Sequence, residues 1–140
     1  VSEPFTVRIV VRGYELDIQG HLNQAVYLLY CEHARWESMR AAGITTDVLA
    51  ASGGGPAVLE NTMRYHRELR GGDEVDVTCE WVWGTGKTFR VNQTITLADG
   101  TLVADLTSVV GVIDTAVRKL VASPAEHFRS LAKDPAVLGF

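Results

Sequence analysis

The sequence predicts an α+β domain in which an antiparallel sheet wraps one long helix. Three observations predict it. A β-branched run, Phe5 to Arg12, comes first; one long helix-type stretch follows; four strand-like runs then succeed one another with turn residues between them. At 140 residues the expectation is one domain over 1–140. A domain of this size buries roughly two-thirds of its unfolded surface and folds without a disulfide or a metal.

The opening run, FTVRIVVR, alternates loosely and reads as a strand. Gly13 to Leu22 is a loop. Asn23 is a favourable N-cap and opens a helix to about Ala42, with Gly43 at the left-handed position beyond it and Ile44 supplying the apolar contact that follows. From Ala25 to Ala34 the only charge is Glu32, so the first half of the helix is expected to be buried nearly all round and the half carrying Arg35, Glu37 and Arg40 to face solvent. A Gly-rich link, Ser52 to Gly55, leads to strands at Ala57–Arg67, Val75–Trp83, Thr88–Leu97 and Thr101–Asp114. Asp99-Gly100 is a hairpin turn, and Gly84 and Gly86 belong to another. Ser123-Pro124-Ala125-Glu126 has the form of a capping box with proline at N1 and starts a short C-terminal helix.

Composition narrows the function classes. Hydrophobic residues make up 46% and charged residues 21%, as in ordinary globular proteins. No uncharged stretch approaches the roughly 18 apolar residues of a bilayer span, and no secretory signal is read before the first strand, so no membrane partner is expected. A net charge of −4 argues against a nucleic-acid partner, while leaving room for an anionic small ligand on a local basic cluster. Cys31 and Cys79 show no C-x-x-C spacing and fit a reducing, cytoplasmic compartment. The four histidines are scattered, and no metal site or cofactor is expected.

Chemistry collects in the loop before the helix. Asp17 is a loop carboxylate that closes an Asx-type turn, caps the helix, or works on a substrate. His21 is a base, a hydrogen-bond donor, or a histidine bonded to backbone. Asn23 caps the helix, and the N–H groups near Gln24 to Val26 lack intrahelical acceptors at the positive end of the helix dipole, where an oxyanion would be held. Cys31 and His33 point to different helix faces and form no dyad, and both cysteines read as core thiols. Glu32, if enclosed, needs Arg35 or a backbone donor. Arg64, Arg67, Arg70, Lys87 and Arg90 are the dense basic set, suited to phosphate contacts or to solvating the sheet. Trp36, Trp81, Trp83, Phe89 and Met63 either line a pocket or are ordinary core.

The segment YELDIQGHLNQAVYLLYCEHARWE, Tyr14 to Glu37, resembles the signature of hot-dog-fold acyl thioesterases of the 4-hydroxybenzoyl-CoA thioesterase type, with particular likeness to bacterial acyl-CoA and plant acyl-lipid thioesterases. Tyr14, Asp17, Gly20, Asn23, Tyr27, Tyr30, Glu32 and Arg35 carry the likeness. The resemblance implies a five- or six-stranded sheet around the helix and a homodimer joined edge to edge, or a homotetramer of such pairs. It implies hydrolysis of an acyl-CoA or acyl carrier protein thioester to acid and thiol, as in fatty-acid or polyketide metabolism. Asp17 then takes the place of the base or nucleophile and Tyr27 packs beside the site. Glu60 occupies the position of a second subclass's carboxylate and is the fallback, with Asn61 next to it. Arg67, Arg70, Lys87 and Arg90 would meet the phosphates of the thiol carrier. Two rival readings stand beside this one: a hot-dog enoyl hydratase or dehydratase, although Asp17-Ile18-Gln19-Gly20-His21 lacks the Asn-Pro of that pattern, and a non-catalytic acyl-thioester binding module.

Overall fold

Period-2 alternation and turn chemistry set the sheet. The computed structural model describes residues 3–140, and in it the strands are β1 (Phe5–Val10), β2 (Gly54–Tyr65), β3 (Glu74–Val82), β4 (Thr88–Leu97), β5 (Leu102–Asp114) and the short β6 (Lys119–Leu120). All pairings are antiparallel, in the order β1-β3-β4-β5-β2, with β6 on β5. This is the wrapped α+β arrangement the sequence predicts. β4 has the predicted bounds, and the Asp99-Gly100 hairpin is present, Gly100 having φ 89° and the Asp99 carboxylate accepting from Thr101 N–H.

Along β3 and β4 the alternation sorts side chains as expected. Val75, Val77, Cys79 and Trp81 are buried with Phe89, Val91 and Ile95, and so is Gln93, a polar residue in an apolar row. The helix α1 (Gln24–Ala41) lies across β3 and β1. Its buried residues, Tyr27, Tyr30, Cys31, Ala34, Arg35, Ser38 and Met39, form one continuous stripe at helical spacing. That corrects the expectation of a buried first half and a solvated second half: Leu29 and Glu32 are exposed, while Arg35 and Ser38 are buried. Period 3.6 divides a helix by face, not by half. Glu32, being exposed, needs no buried partner.

Helix ends follow their caps. Asn23 accepts from Ala25 N–H at 3.0 Å. Past Ala41, Gly43 at φ 89° donates to the Arg40 carbonyl and Ile44 to that of Met39, while Ile44 is buried; together these make a Schellman stop. A helix the sequence reading omitted follows at once: α2 (Thr46–Ser52), with Thr45 capping Val48 N–H and Gly53 left-handed at its end. The last helix, α3 (Pro124–Leu131), starts as expected at Ser123, but its capping box is half made, since the Glu126 carboxylate pairs with Arg129. α3 sends Phe128 into an aromatic cluster with Trp81, Trp83, Phe89 and, through Trp83, Phe140. No helix among the described residues is long and apolar enough to cross a membrane.

A Cβ at Gly43 would stand 2.9 Å from Lys133 Cβ, whose own backbone N–H is bound to Ala42 O at 2.8 Å and so cannot swing away. Gly43→Ala is therefore expected to cost at least about 1–2 kcal/mol, the left-handed penalty alone, read as a lower denaturant midpoint at unchanged slope.

Candidate active site

The loop between β1 and α1 is held by its own backbone before any side chain acts. A single 3₁₀ turn, Gly13–Glu15, leads into a small hairpin closed by the Leu16–Leu22 bridge. Asp17 N–H donates to His21 O at 2.7 Å, and Gly20 N–H to Asp17 O at 3.0 Å, with Gly20 left-handed at φ 80°. The Asp17 carboxylate completes the turn: Oδ1 accepts from Gln19 N–H at 2.9 Å and His21 N–H at 3.0 Å. The Asx-type role is thus real and occupies one oxygen. Oδ2 has no partner among the described residues, and Asp17 is half-buried at the wall of a cleft of about 530 Å³. That volume lies within the range of about 300–1,000 Å³ usual for small-molecule sites.

Glu15 fixes this loop to the helix. Its carboxylate accepts the Tyr30 hydroxyl at 2.6 Å and Arg12 N–H at 2.9 Å, while its carbonyl accepts Asn23 N–H at 3.0 Å. Burial works to raise its pKa, but the bonds from Tyr30 and Arg12 outweigh it and hold the carboxyl below its ordinary value. Burial and the Glu15 carboxylate together push the Tyr30 hydroxyl up. Sequence reasoning missed Glu15; the available signal was a buried tyrosine hydroxyl in need of an acceptor.

The cleft unites six of the sequence-predicted residues: Asp17, His21, Asn23, Gln24, Tyr27 and Arg67. At the helix N-terminus, Ala25 N–H is spent on the Asn23 side chain and Val26 N–H on the Asn23 carbonyl. Of the donors expected between Gln24 and Val26, only the Gln24 N–H has no acceptor among the described residues. Tyr27 forms the floor, its hydroxyl 3.4 Å from Arg67 O, and meets Tyr65 edge to face at 5.1 Å. Tyr65, which the sequence reading passed over, donates to Gln24 O at 3.1 Å and pins the first helical turn to the end of β2.

His21 is bonded to a side chain rather than to backbone: Nε2 lies 2.7 Å from Glu68 Oε2, and Arg70 reaches both His21 and Glu68. Arg70 therefore stands at the cleft edge, tied to a carboxylate, whereas Arg67 lines the cleft and has no ion-pair partner among the described residues. Three expected site residues lie outside this cleft. Lys87 precedes β4 and Arg90 pairs in register with Val109 at the other end of β5, whereas Arg67 N–H bonds Val103 O, so neither reaches the cleft. Glu60 is also outside it: paired with Val109, it shares the face turned away from α1, while Asn61 faces the helix and accepts the Ser108 hydroxyl at 2.6 Å. His66 was given no role by sequence; its residue borders the cleft, but its ring turns to Asp105 at 2.7 Å. Cys31 is inert, burial pushing its thiol up to about 12, and burial likewise pushes Cys79 up to about 11. No cluster of three metal-ligating side chains occurs among the described residues.

A second opening, of about 120 Å³, lies under the middle of α1. Trp36 and Met39 of α1, Pro56 and Val58 of β2, and Trp81 are among its walls, with Arg35. Of the expected pocket-lining aromatics, Trp36 and Trp81 are here, whereas Trp83 and Phe89 are packed in the aromatic cluster.

Residues 11–131 match the sequence profile of the thioesterase-like superfamily. Over 74 residues the chain is 45% identical to an acyl-acyl carrier protein thioesterase, ATL3, chloroplastic, of Arabidopsis thaliana. That alignment spans 53% of this chain but only 39% of the plant protein, well under two thirds of its length. The chain is 31% identical over 120 residues to the long-chain acyl-CoA thioesterase FadM of Escherichia coli K12, covering 85% of this chain and 90% of that one. Among solved structures, the probable thioesterase YbaW of Escherichia coli superposes with a TM-score of 0.81 at 28% identity, covering 92% of this chain and 99% of that one.

Removing the Tyr30 hydroxyl should loosen the loop in a pH-dependent way. A carboxyl depressed by folding stabilises the fold above its unfolded pKa and loses that contribution as pH falls through its folded one. Tyr30→Phe is expected to cost about 1.5–3 kcal/mol at pH 7, with the gap to wild type closing below about pH 4, measured by urea melts across pH.

Proposed function

Because the chain belongs to the thioesterase-like superfamily, with its hot-dog fold, we propose that it hydrolyses an acyl-CoA or acyl carrier protein thioester to a free acid and a thiol. The observation that carries this reading is the divided carboxylate of Asp17, a residue of the cleft wall: Oδ1 is bound by two backbone N–H groups while Oδ2 has no partner among the described residues. In this mechanism Oδ2 removes a proton from a water molecule as its oxygen attacks the thioester carbon. The negative charge that develops on the carbonyl oxygen is met by the free Gln24 N–H at the positive end of α1, and such a donor is worth about 3–4 kcal/mol. Collapse breaks the C–S bond, the electron pair leaves on sulfur, and the proton held by Asp17 returns to the thiolate. His21 and Asn23 shape the site through the loop and the cap. Arg67, as the unpaired guanidinium of the cleft, is assigned to the phosphates of the thiol carrier.

We also propose a homodimer, alone or as half of a tetramer, formed through β2. This strand is 12 residues long, lies at the sheet edge and leaves Val58 and Leu59 about half exposed beside the exposed Leu29 and Trp36 of α1. A long unpaired edge with exposed apolar side chains near its middle favours pairing with another strand. A reducing compartment such as the cytoplasm is proposed on the two free thiols.

Asp17→Asn keeps an oxygen to accept the two turn N–H groups and removes the basic one. Thiol release from a panel of acyl-CoAs is expected to fall at least about 100-fold, with the melting temperature nearly unchanged; retained turnover would take Asp17 out of the mechanism. For the assembly, Leu59→Lys is expected to convert the sedimenting species from dimer to monomer, and an unchanged dimer would place the interface elsewhere.

A further inference from the structure

We infer that Glu68 is a positioning residue of the proposed reaction: it holds His21 so that the second ring nitrogen, Nδ1, carries the proton from Asp17 to the departing sulfur. The inference deepens the thioesterase reading and rests on it for the reaction served. Buried backbone sets the pair. Leu22 N–H donates to Leu69 O at 2.7 Å, and both leucines are buried. That bond fixes the loop against the chain leaving β2 and brings their neighbours, His21 and Glu68, together at the cleft. His21 is also held from its own side, its N–H on Asp17 Oδ1 at 3.0 Å and its carbonyl accepting Asp17 N–H at 2.7 Å. The base and the histidine therefore belong to one closed turn.

His21 Nε2 lies 2.7 Å from Glu68 Oε2 and 3.5 Å from Arg70 Nη2. A guanidinium only donates and a carboxylate only accepts, so the short approach assigns the Nε2 hydrogen to Glu68. Glu68 is fixed in turn, since Oε1 accepts from Arg70 Nη2 at 3.0 Å and Arg70 N–H is bound to Asp73 Oδ2 at 2.9 Å. In the neutral ring Nδ1 then bears the lone pair. It has no partner among the described residues, the bonds of the ring running from Nε2 alone. Both carboxylates face the same floor: burial raises the pKa of the Tyr27 hydroxyl, and the charges of Glu68 and Asp17 add to the rise.

Asp17 is pinned by two backbone bonds, so it cannot follow its proton from the attacking oxygen round to the sulfur. A second group must carry it. Oδ2 takes the proton from water as the new O–C bond forms. That proton passes to Nδ1, giving an imidazolium whose charge is met by the Glu68 carboxylate. As the C–S bond breaks, its electron pair goes to sulfur and the Nδ1 proton joins it, giving the thiol. Asp17 and Glu68 end as carboxylates and His21 as the neutral ring, as they began. A carboxylate that fixes the tautomer of a histidine and stabilises its imidazolium is an established device for such transfers.

The test varies the leaving group. One acyl group is presented as the thioester of N-acetylcysteamine, an alkyl thiol, and of thiophenol, whose thiolate departs readily without a proton. Neither carries phosphates, so recognition of the carrier stays out of the comparison. Glu68→Gln, which keeps an acceptor for Nε2 and removes the charge, is expected to lower the alkyl-to-aryl ratio of kcat/KM at least tenfold. Its melting temperature should stay nearly unchanged, because a half-exposed ion pair adds little to stability. Glu68→Asp keeps the charge and is expected to restore part of the ratio. In a His21→Asn background, Glu68→Gln should change the ratio no further. Equal slowing of both thioesters, or an effect that persists without His21, overturns the inference. Wild-type turnover with an unaltered ratio overturns it alone, whereas a wild type that releases no thiol from any thioester, acyl-CoAs included, overturns the thioesterase reading itself.

Discussion

The proposed mechanism depends on a division of labour within one carboxylate. For Asp17 to serve as base it must be held still to face a substrate, and the oxygen that holds it is then not the one that takes the proton. The loop resolves this by placing two backbone donors on Oδ1 and none on Oδ2. Everything around it serves that division. Gly20 takes the left-handed conformation that closes the turn, Glu15 ties the turn to Tyr30 on α1, and Leu22 N–H bonds Leu69 O to fix the loop against the chain leaving β2. A carboxylate so mounted is tied by hydrogen bonds to the helix N-terminus, the preorganisation that the proposed stabilisation of a developing charge calls for.

Between α1 and the sheet runs a second polar seam whose logic is opposite. Trp81 Nε1–H donates to Ser38 Oγ at 3.0 Å, and Ser38 donates to Arg35 O at 2.7 Å. Together with the Gln93 bonds this satisfies almost every buried group, and no fully buried side-chain atom lacks a partner among the described residues. Arg35 is carried at that depth by its bond to Gln93, with Glu32 on the wall of the same opening.

How much of this was legible in the sequence differs by element, for physical reasons. Strands were readable because alternation on a half-buried sheet is strict, and β4 could be bounded to the residue. The loop around Asp17 was legible as a loop from its glycines and the Asn23 cap, and as a site only through the resemblance carried by Tyr14 to Glu37. Faces of α1 were not: counting charges along it grouped residues by sequence half, whereas burial follows the turn, and so Arg35 was assigned to solvent. Gln93 was passed over for a related reason, although a polar residue at an inward position of an apolar row is itself a signal. α2 is too short to show a period and is marked only by Thr45 and Gly53. Lys87 and Arg90 resembled Arg67 in composition alone; strand register, which depends on pairing partners far along the chain, separates them.

The cleft and the opening under α1 sit at opposite ends of one antiparallel pair. Gln24 and Tyr27 of α1 meet Tyr65 and Arg67 at the end of β2, while Arg35, Trp36 and Met39 lie over Pro56 and Val58 near its start. In the proposed dimer, antiparallel pairing of two β2 edges about their middles reverses one copy against the other. The end of β2 in one protomer then lies beside the start of β2 in its partner, and the cleft of each lies next to the opening of the other. A thioester seated at Asp17 would then lie beside the opening of the partner, whereas the opening of its own helix stands about 16 Å away along the axis, at 1.5 Å per residue from Gln24. On this geometry the exposed edge and the open cleft are a single incompleteness, which pairing of two copies removes.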